Sequence, residues 1–371
     1  MNNRERALAI LNYQDYDRLP VVHFGFWNET LIKWFNEGHL EEEEAKKWTD
    51  GNTFDKTISK KLGFDFNWYS CYTSAYGLFP GFKSEIVETL NDGTEKVRNG
   101  NGVIVLRKKN AGSIPAEVDH LLKDRESWEK YYLPKLIYSD NRINFEYLNS
   151  IKNADNRETP LGLHCGSLFG EIRNWLGLEG SSYLLVDDED LYDEIINVVG
   201  ELSYNLVKNI LATGAKFDFG HFWEDICFKN GPLVIPSVFD KKVGPHYKRI
   251  TDLLKANDIN IISLDCDGLI DSLIPTWFEN GVNTMFPIEV GTWGANIRPW
   301  REKYGKELRG VGGMDKKVFA YDYKAIDLEI ERLKPLIDLG GYIPCPDHRI
   351  APDAKWENVQ YYCEQMHKMF T

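Results

Sequence analysis

Ionisable side chains recur directly after short apolar runs in this chain of 371 residues. His221-Phe222-Trp223-Glu224-Asp225 follows one such run, Asp265-Cys266-Asp267-Gly268 a second and Pro287-Ile288-Glu289 a third. Gly312-Gly313-Met314-Asp315 and Pro346-Asp347-His348-Arg349 complete the set. Three chemistries fit these residue types. Carboxylate oxygens together with an imidazole nitrogen can hold zinc or manganese, which makes Asp265, Asp267 and His348 candidate ligands of a divalent metal. Crowded carboxyl groups repel until one keeps its proton near neutral pH, so Glu224, Asp225 and His348 are candidate acid–base catalysts. Arg349 offers a planar cationic fork suited to a substrate carboxylate, and His221, Trp223, Glu289 and Asp347 are further candidates for touching substrate.

Each position also has a plainer structural use. Asp265 and Asp267 can turn the chain and cap a helix beginning near Leu269, and Glu224 and Asp225 can cap the segment after them. His348 can be a histidine bonded to backbone, and His221 sits among Phe219, Phe222 and Trp223, where packing is as natural as chemistry. His164-Cys165-Gly166 is not a nucleophile pair, because neighbours in a strand point to opposite faces.

Only an architecture that gathers strand ends can bring these segments together. The chain repeats one unit: a short apolar strand, a polar or glycine-bearing loop, then a stretch of helical periodicity. Eight strands are predicted, in LPVVHFGF (19–26), DFNWYS (65–70), PLGLHCG (160–166), KFDFGHF (216–222), the run 259–265, TMFPIE (284–289), LRGVGG (308–313) and YIPC (342–345). Eight parallel strands close a (β/α)8 TIM barrel, and in that fold functional groups collect at the C-terminal strand ends. The amphipathic runs that end at Gly214 and Gly281 have the glycine stop expected of helices. Residues 84–109 interrupt the rhythm: they alternate in the β manner around Asp92-Gly93 and Asn99-Gly100-Asn101-Gly102, the signature of tight hairpin turns. The expectation is one α/β domain over residues 1–371, with a hairpin excursion at 84–109 and a mostly helical return over 110–159.

Composition narrows the function class. A net charge of −13 leaves no general basic face for nucleic acid. No run approaches the roughly 20 apolar residues of a membrane span, and the N-terminus lacks a signal-peptide core, so no membrane association and a cytoplasmic location are expected. The six cysteines are scattered without a CxxC pair, which is neither a disulfide framework nor a zinc ribbon.

The segments FWEDICFKNGPLVIPSVFDKKVGPHYKRI, the DCDG turn, GVNTMFPIEV, LRGVGGMDKKVF and GGYIPCPDHRIAPDAKWENVQYY, with the opening RERALAILNYQDYDRLPV, resemble the uroporphyrinogen decarboxylase superfamily, which includes corrinoid- and coenzyme M-dependent methyltransferases. Typical decarboxylases of that superfamily carry an arginine-rich first-strand segment, whereas PVVHFGFWNETL here has no arginine, which makes an acidic chain a poor host for a polyanionic tetrapyrrole. The resemblance implies a zinc site built from an HxC pair after the fifth strand and a further ligand near the eighth. Asp265, Asp267 and His348 stand at those places, a harder and more oxygen-rich set.

What the resemblance implies is a methyltransferase that demethylates a small methylated or methoxylated compound and passes the methyl group to a corrinoid carried by a partner protein. Trp27, Trp68, Tyr72 and Trp223 would furnish its aromatic wall. The alternative is a cofactor-free decarboxylase of uroporphyrinogen or a related carboxylated substrate, and the second alternative a non-catalytic small-molecule-binding barrel. Relatives of this kind also imply a homodimer.

Overall fold

The computed structural model describes residues 1–108, 115–153 and 156–370. Its strands are β1 (Val22–His23), β2 (Phe66–Asn67), β3 (Cys71–Tyr72), β4 (Glu85–Thr89), β5 (Glu95–Arg98), β6 (Val103–Arg107), β7 (Glu117–His120), β8 (Gly162–His164), β9 (Phe219–Trp223), β10 (Cys227–Phe228), β11 (Gly231–Pro232), β12 (Ile262–Asp265), β13 (Thr284–Phe286), β14 (Arg309–Met314) and β15 (Tyr342–Pro346). Seven of them form a parallel sheet in the order β15-β14-β13-β12-β9-β8-β3, and β1 and β2 form a separate parallel pair. Long apolar-faced helices follow the strands, as parallel connections require. One of them, Glu189–Ala212, starts where the Asp188 side chain accepts the Leu191 N–H and buries Leu191, Ile195, Val199, Leu202, Leu206 and Ile210 along one face, the spacing of an amphipathic helix.

All eight expected strand regions carry strand or bridge structure, but their ladder is not one closed ring. Residues 66–72 change partner midway, β2 pairing with β1 and β3 with β8. Between β1 and β15 the join is a single parallel bridge, Phe26 to Ile350, with Trp27 N–H donating to Ile350 O at 3.1 Å and Ile350 N–H to Gly25 O at 3.0 Å. That join packs the segment 24–27 against 348–350, which matters for the site.

Register fixes what reaches the C-terminal lip. Asp265 is level with Trp223 on one side and Phe286 on the other, and Met314 is level with Pro346. Residues immediately beyond these positions therefore emerge together. Two glycines permit the close approach. Gly312 has φ +127° and a Cβ there would lie 1.4 Å from Pro287 O, so the strand itself, rather than a pocket, is what requires the missing side chain. Gly268, at φ +89°, lets the DCDG turn lie against the β10–β11 hairpin, where a Cβ would meet the Cys227 carbonyl carbon at 2.8 Å.

The excursion between early strands is larger than a hairpin: β4-β5-β6-β7 form a four-stranded antiparallel sheet with its own small core of Val97, Val103 and Val105. The predicted helical return is thus corrected at Glu117–His120, a strand whose polar sequence EVDH is half-exposed or exposed and so carries little hydrophobic alternation. Residues 110–114 and 154–155 of that return, and residue 109 of the hairpin, lie outside the described residues. Among the described residues no helix is long and apolar enough to cross a membrane.

Candidate functional site

Asp267 and His348, 81 positions apart in sequence, meet at the lip: His348 Nε2 lies 3.1 Å from Asp267 Oδ2. The DCDG turn after β12 delivers the carboxylate and the β15 extension delivers the imidazole. The imidazole is held on its faces as well. Trp27 stacks on it at 5.4 Å between ring centroids, and Phe24 meets it edge-on at 5.6 Å, both brought there by the β1–β15 bridge. His348 Nδ1 and Asp267 Oδ1 are buried without a hydrogen-bond partner among the described residues. Orphaned polar atoms of this kind are costly, and two of them on one closely paired imidazole and carboxylate call for an explanation beyond packing.

Other ionisable groups surround the pair. Asp265 is buried, and its carboxyl is pushed well above the usual range by desolvation and then by the Asp267 charge, with Arg349 and Tyr69 opposing. Burial and Asp267 likewise raise Glu289, whose Oε2 accepts the Gly268 N–H at 2.7 Å and the Trp293 indole N–H. Lys316 was not foreseen: it follows β14, burial pulls its ammonium pKa down, and Asp347, Glu289, Asp267 and Asp353 all act to hold it charged. It could have been found by extending the strand-end rule one residue beyond Asp315, whose own side chain caps the turn at Lys317 N–H.

Several expected roles are corrected by the contacts. Glu224 is fully buried and accepts hydrogen bonds from the Ser167 hydroxyl, the N–H groups of Leu168, Phe169 and Gly170, and the Tyr247 hydroxyl. Burial raises its pKa against those bonds. It is an anchor for the N-terminus of the helix Gly170–Asp187 and has no free lone pair for acid–base work. Asp225 is engaged by Arg173 at 2.7 Å.

Asp347 is buried and holds two loops together, accepting the N–H groups of Gly291 at 2.7 Å and Lys316 at 3.2 Å. Arg349 is not open to a substrate carboxylate, because Asp50 takes its fork with contacts of 3.2 and 2.7 Å. Phe24, Trp48 and Tyr69 surround the guanidinium. No sequence pattern pointed to Asp50, which lies 299 positions away.

His221 is buried, with Nδ1 3.1 Å from Ser263 Oγ, and desolvation followed by His164 drives its pKa well below the ordinary value. It is a neutral histidine beneath the lip. Of the expected aromatic wall, Trp68 stacks on Phe219 and Tyr72 on Tyr147, both as core, whereas Trp27 and Trp223 line cavities at the mouth.

The divalent-metal reading of Asp265, Asp267 and His348 does not fit the side chains. Among the described residues no three His, Cys, Asp or Glu groups are arranged to hold a metal ion. His348 Nε2 instead faces Asp267 Oδ2 at 3.1 Å.

No family model matches the chain, and no curated protein sequence matches it. Among solved structures it is similar to a methyltransferase from Methanosarcina mazei, with a TM-score of 0.60 and 15% sequence identity, over 99% of this chain and 99% of that one. It is also matched by a B12-independent methionine synthase from Shewanella sp. W3-18-1, with a TM-score of 0.47 and 12% identity, over 95% of this chain and 98% of that one. The chain and the Methanosarcina mazei methyltransferase share a fold, a mixed α/β architecture around a parallel sheet.

Proposed function

We propose that the protein is an enzyme that removes the methyl group of a small methylated or methoxylated molecule, with His348, oriented by Asp267, as the proton donor to the departing heteroatom. The observation that carries this reading is the 3.1 Å contact between His348 and Asp267, at strand ends, with an orphaned atom on each partner. A fold shared with a methyltransferase supports it; the fold alone does not choose a reaction.

In the proposed step the methyl carbon–oxygen bond breaks and its electron pair stays on oxygen. The proton held by His348 moves to that oxygen, so no free alkoxide or phenoxide departs, and the methyl group leaves to a nucleophile. A positioned acid of this kind contributes about 10²- to 10⁴-fold in rate. Asp267, 3.1 Å from Nε2, fixes the ring and stabilises the imidazolium before transfer, a division of labour common to His–carboxylate pairs. Trp27, stacked on the imidazole, limits its rotation and keeps water from one face.

The acceptor in this reading is a corrinoid carried by a partner protein, which supplies a strong nucleophile when docked. The competing decarboxylase reading needs a cation to orient a substrate carboxylate; Arg349 is committed to Asp50, and Lys316 is ringed by the acidic Asp347, Glu289, Asp267 and Asp353.

A screen of methylated and methoxylated compounds, run with and without a corrinoid protein, tests the proposal. Demethylation that requires the corrinoid protein and falls about 100-fold or more in His348→Gln is the expected result. Carbon dioxide release by the chain alone, or demethylation indifferent to the corrinoid protein, would overturn it.

A further inference from the structure

Glu289 is aimed by a strained backbone. The residue before it, Ile288, has φ +55°, a left-handed conformation that costs a β-branched residue about 1–3 kcal/mol. Its side chain is 2% exposed and packs where two strand residues are glycine: a Cβ at Gly310 would lie 2.6 Å from Ile288 Cδ1, and one at Gly313 3.6 Å from Ile288 Cγ2. The fold makes room for a conformation that regular structure does not call for. Such strain persists where the surroundings over-determine it, and it clusters at functional sites.

What the turn achieves is the direction of one carboxylate oxygen. Glu289 Oε2 accepts both the Gly268 N–H, at 2.7 Å, and the Trp293 indole N–H, so a single atom joins two loops. Gly268 directly follows Asp267. The Asp267 carboxylate has His348 at 3.1 Å from Oδ2 and no hydrogen-bond partner on Oδ1, so its place depends on how the DCDG turn is held. Two bonds hold that turn: Gly268 N–H to Glu289, and Leu269 N–H to Phe228 O at 3.0 Å. Burial and the Asp267 charge oppose ionisation of Glu289, whereas the Gly268 and Trp293 N–H groups favour it; the link and the charge that strengthens it sustain each other.

The other end of the link is an aromatic rim. Trp293 closes the short helix Val290–Trp293, and its ring centroid is 6.1 Å from that of Phe228, which is 54% exposed. Asp347 holds the start of the same helix through the Gly291 N–H. The indole N–H, by contrast, is tied to the turn that carries Asp267.

We infer that Glu289 is a positioning residue that couples the Phe228–Trp293 rim to the Asp267–His348 pair, so that a ligand seated against the rim sets Asp267 through Gly268. Such coupling is reciprocal: a change at Asp267 is felt at Trp293. That the pair so held donates a proton to a departing heteroatom rests on the function proposed above.

The test is amide hydrogen exchange at Gly268, read by nuclear magnetic resonance on the full chain without any corrinoid protein. Glu289→Ala is expected to exchange about tenfold faster than the parent, the loss of one buried hydrogen bond, and Glu289→Gln, whose amide oxygen still accepts, within about threefold of it. Trp293→Phe removes the indole donor, and is expected to speed Gly268 about threefold or more while Gly170, bonded to Glu224, keeps its rate. Should Glu289→Ala fail to fold, Trp293→Phe carries this arm. In the reverse direction, the Trp293 indole resonance, assigned by its absence in Trp293→Phe, should move in Asp267→Asn and stay in place in Asp225→Asn. Where the screen finds demethylation, Glu289→Ala should lower kcat about tenfold or more with KM within about threefold; a loss carried by KM would place Glu289 in binding and overturn the positioning role. Gly268 exchange unchanged in a folded Glu289→Ala or in Trp293→Phe, or an indole resonance indifferent to Asp267→Asn, would overturn the coupling and leave the acid at His348 untouched. Exchange and resonance as expected, together with no demethylation under any acceptor, would retain the coupling and remove the methyl-transfer reading.

Discussion

Glu224 and Asp267 are both carboxylates on loops that leave the C-terminal ends of neighbouring strands, and their surroundings are opposite. Five donors converge on Glu224, whereas Asp267 has one imidazole at 3.1 Å and a buried oxygen with no partner. Glu224 is sealed, while the side chain of Asp267 is 35% exposed and that of His348 17%. Position at a strand end therefore does not identify a working group. What separates the two is saturation: a carboxylate whose lone pairs are all taken holds structure, and one with capacity left over is available to a ligand.

The largest effect that tests this contrast is on stability. Glu224→Gln replaces one acceptor oxygen by an amide, so either the Leu168 N–H on Oε1 or the Gly170 N–H on Oε2 loses its partner and faces an N–H group instead. A loss of about 2 kcal/mol or more is expected, at about 1–3 kcal/mol for each orphaned buried group. It would be read from the urea midpoint with the slope unchanged. A variant as stable as the parent but inactive would break the comparison, because it would place Glu224 in the chemistry.

Asp267→Asn should behave in the reverse way. Its contact with His348 survives without the charge, so stability is expected to move by less than about 1 kcal/mol, while the proposed demethylation falls by about 10²-fold or more as the imidazolium loses its counter-charge. Unfolding on a scale similar to that of Glu224→Gln would show that Asp267 too is an anchor.

A smaller effect is expected at Asp50. Its pair with Arg349 is partly exposed, with side chains 23% and 22% accessible, so the stability lost in Asp50→Asn is held to about 1 kcal/mol. The released guanidinium, still surrounded by Phe24, Trp48 and Tyr69, would then be free to clamp an anion. Binding of an anionic probe such as benzoate, measured by calorimetry, should strengthen in this variant; no change would mean that the freed Arg349 is not accessible.

What could be read from the sequence follows from how local each determinant is. Apolar runs punctuated by glycine located the strands, and strand ends located Asp267, His348 and Glu289, because those signals lie within a few residues of each side chain. The roles of Glu224 and Arg349 are not legible there because their partners come from residues 167–170, Tyr247 and Asp50, and no pattern within reach of Glu224 or Arg349 encodes them. The strand Glu117–His120 was missed for a related reason. It pairs with β6 through its backbone while its side chains face solvent, so periodicity carried little of its identity. Strand alternation says only that His164 does not activate Cys165; its neutral character depends on the Gly166 N–H that folds back onto Nδ1.

The smallest predicted effect concerns that histidine. Its folded pKa of about 4 lies below the value of about 6.5 expected in the unfolded chain. Between those two values the unfolded state binds the proton and the folded state does not, so stability falls as the pH is lowered from about 6.5 toward 4 and is fully present above that window. One such site contributes a slope of at most about 1.4 kcal/mol per pH unit. His221, whose pKa is also depressed, adds to the same slope in the parent protein, so the informative quantity is the difference between parent and His164→Gln, in which glutamine can still accept the Gly166 N–H but has no proton to gain. The two unfolding curves should be separated by a nearly constant amount above pH 7 and converge or cross as the pH falls to 4.5. Parallel curves throughout would mean that burial does not hold His164 neutral in the folded chain.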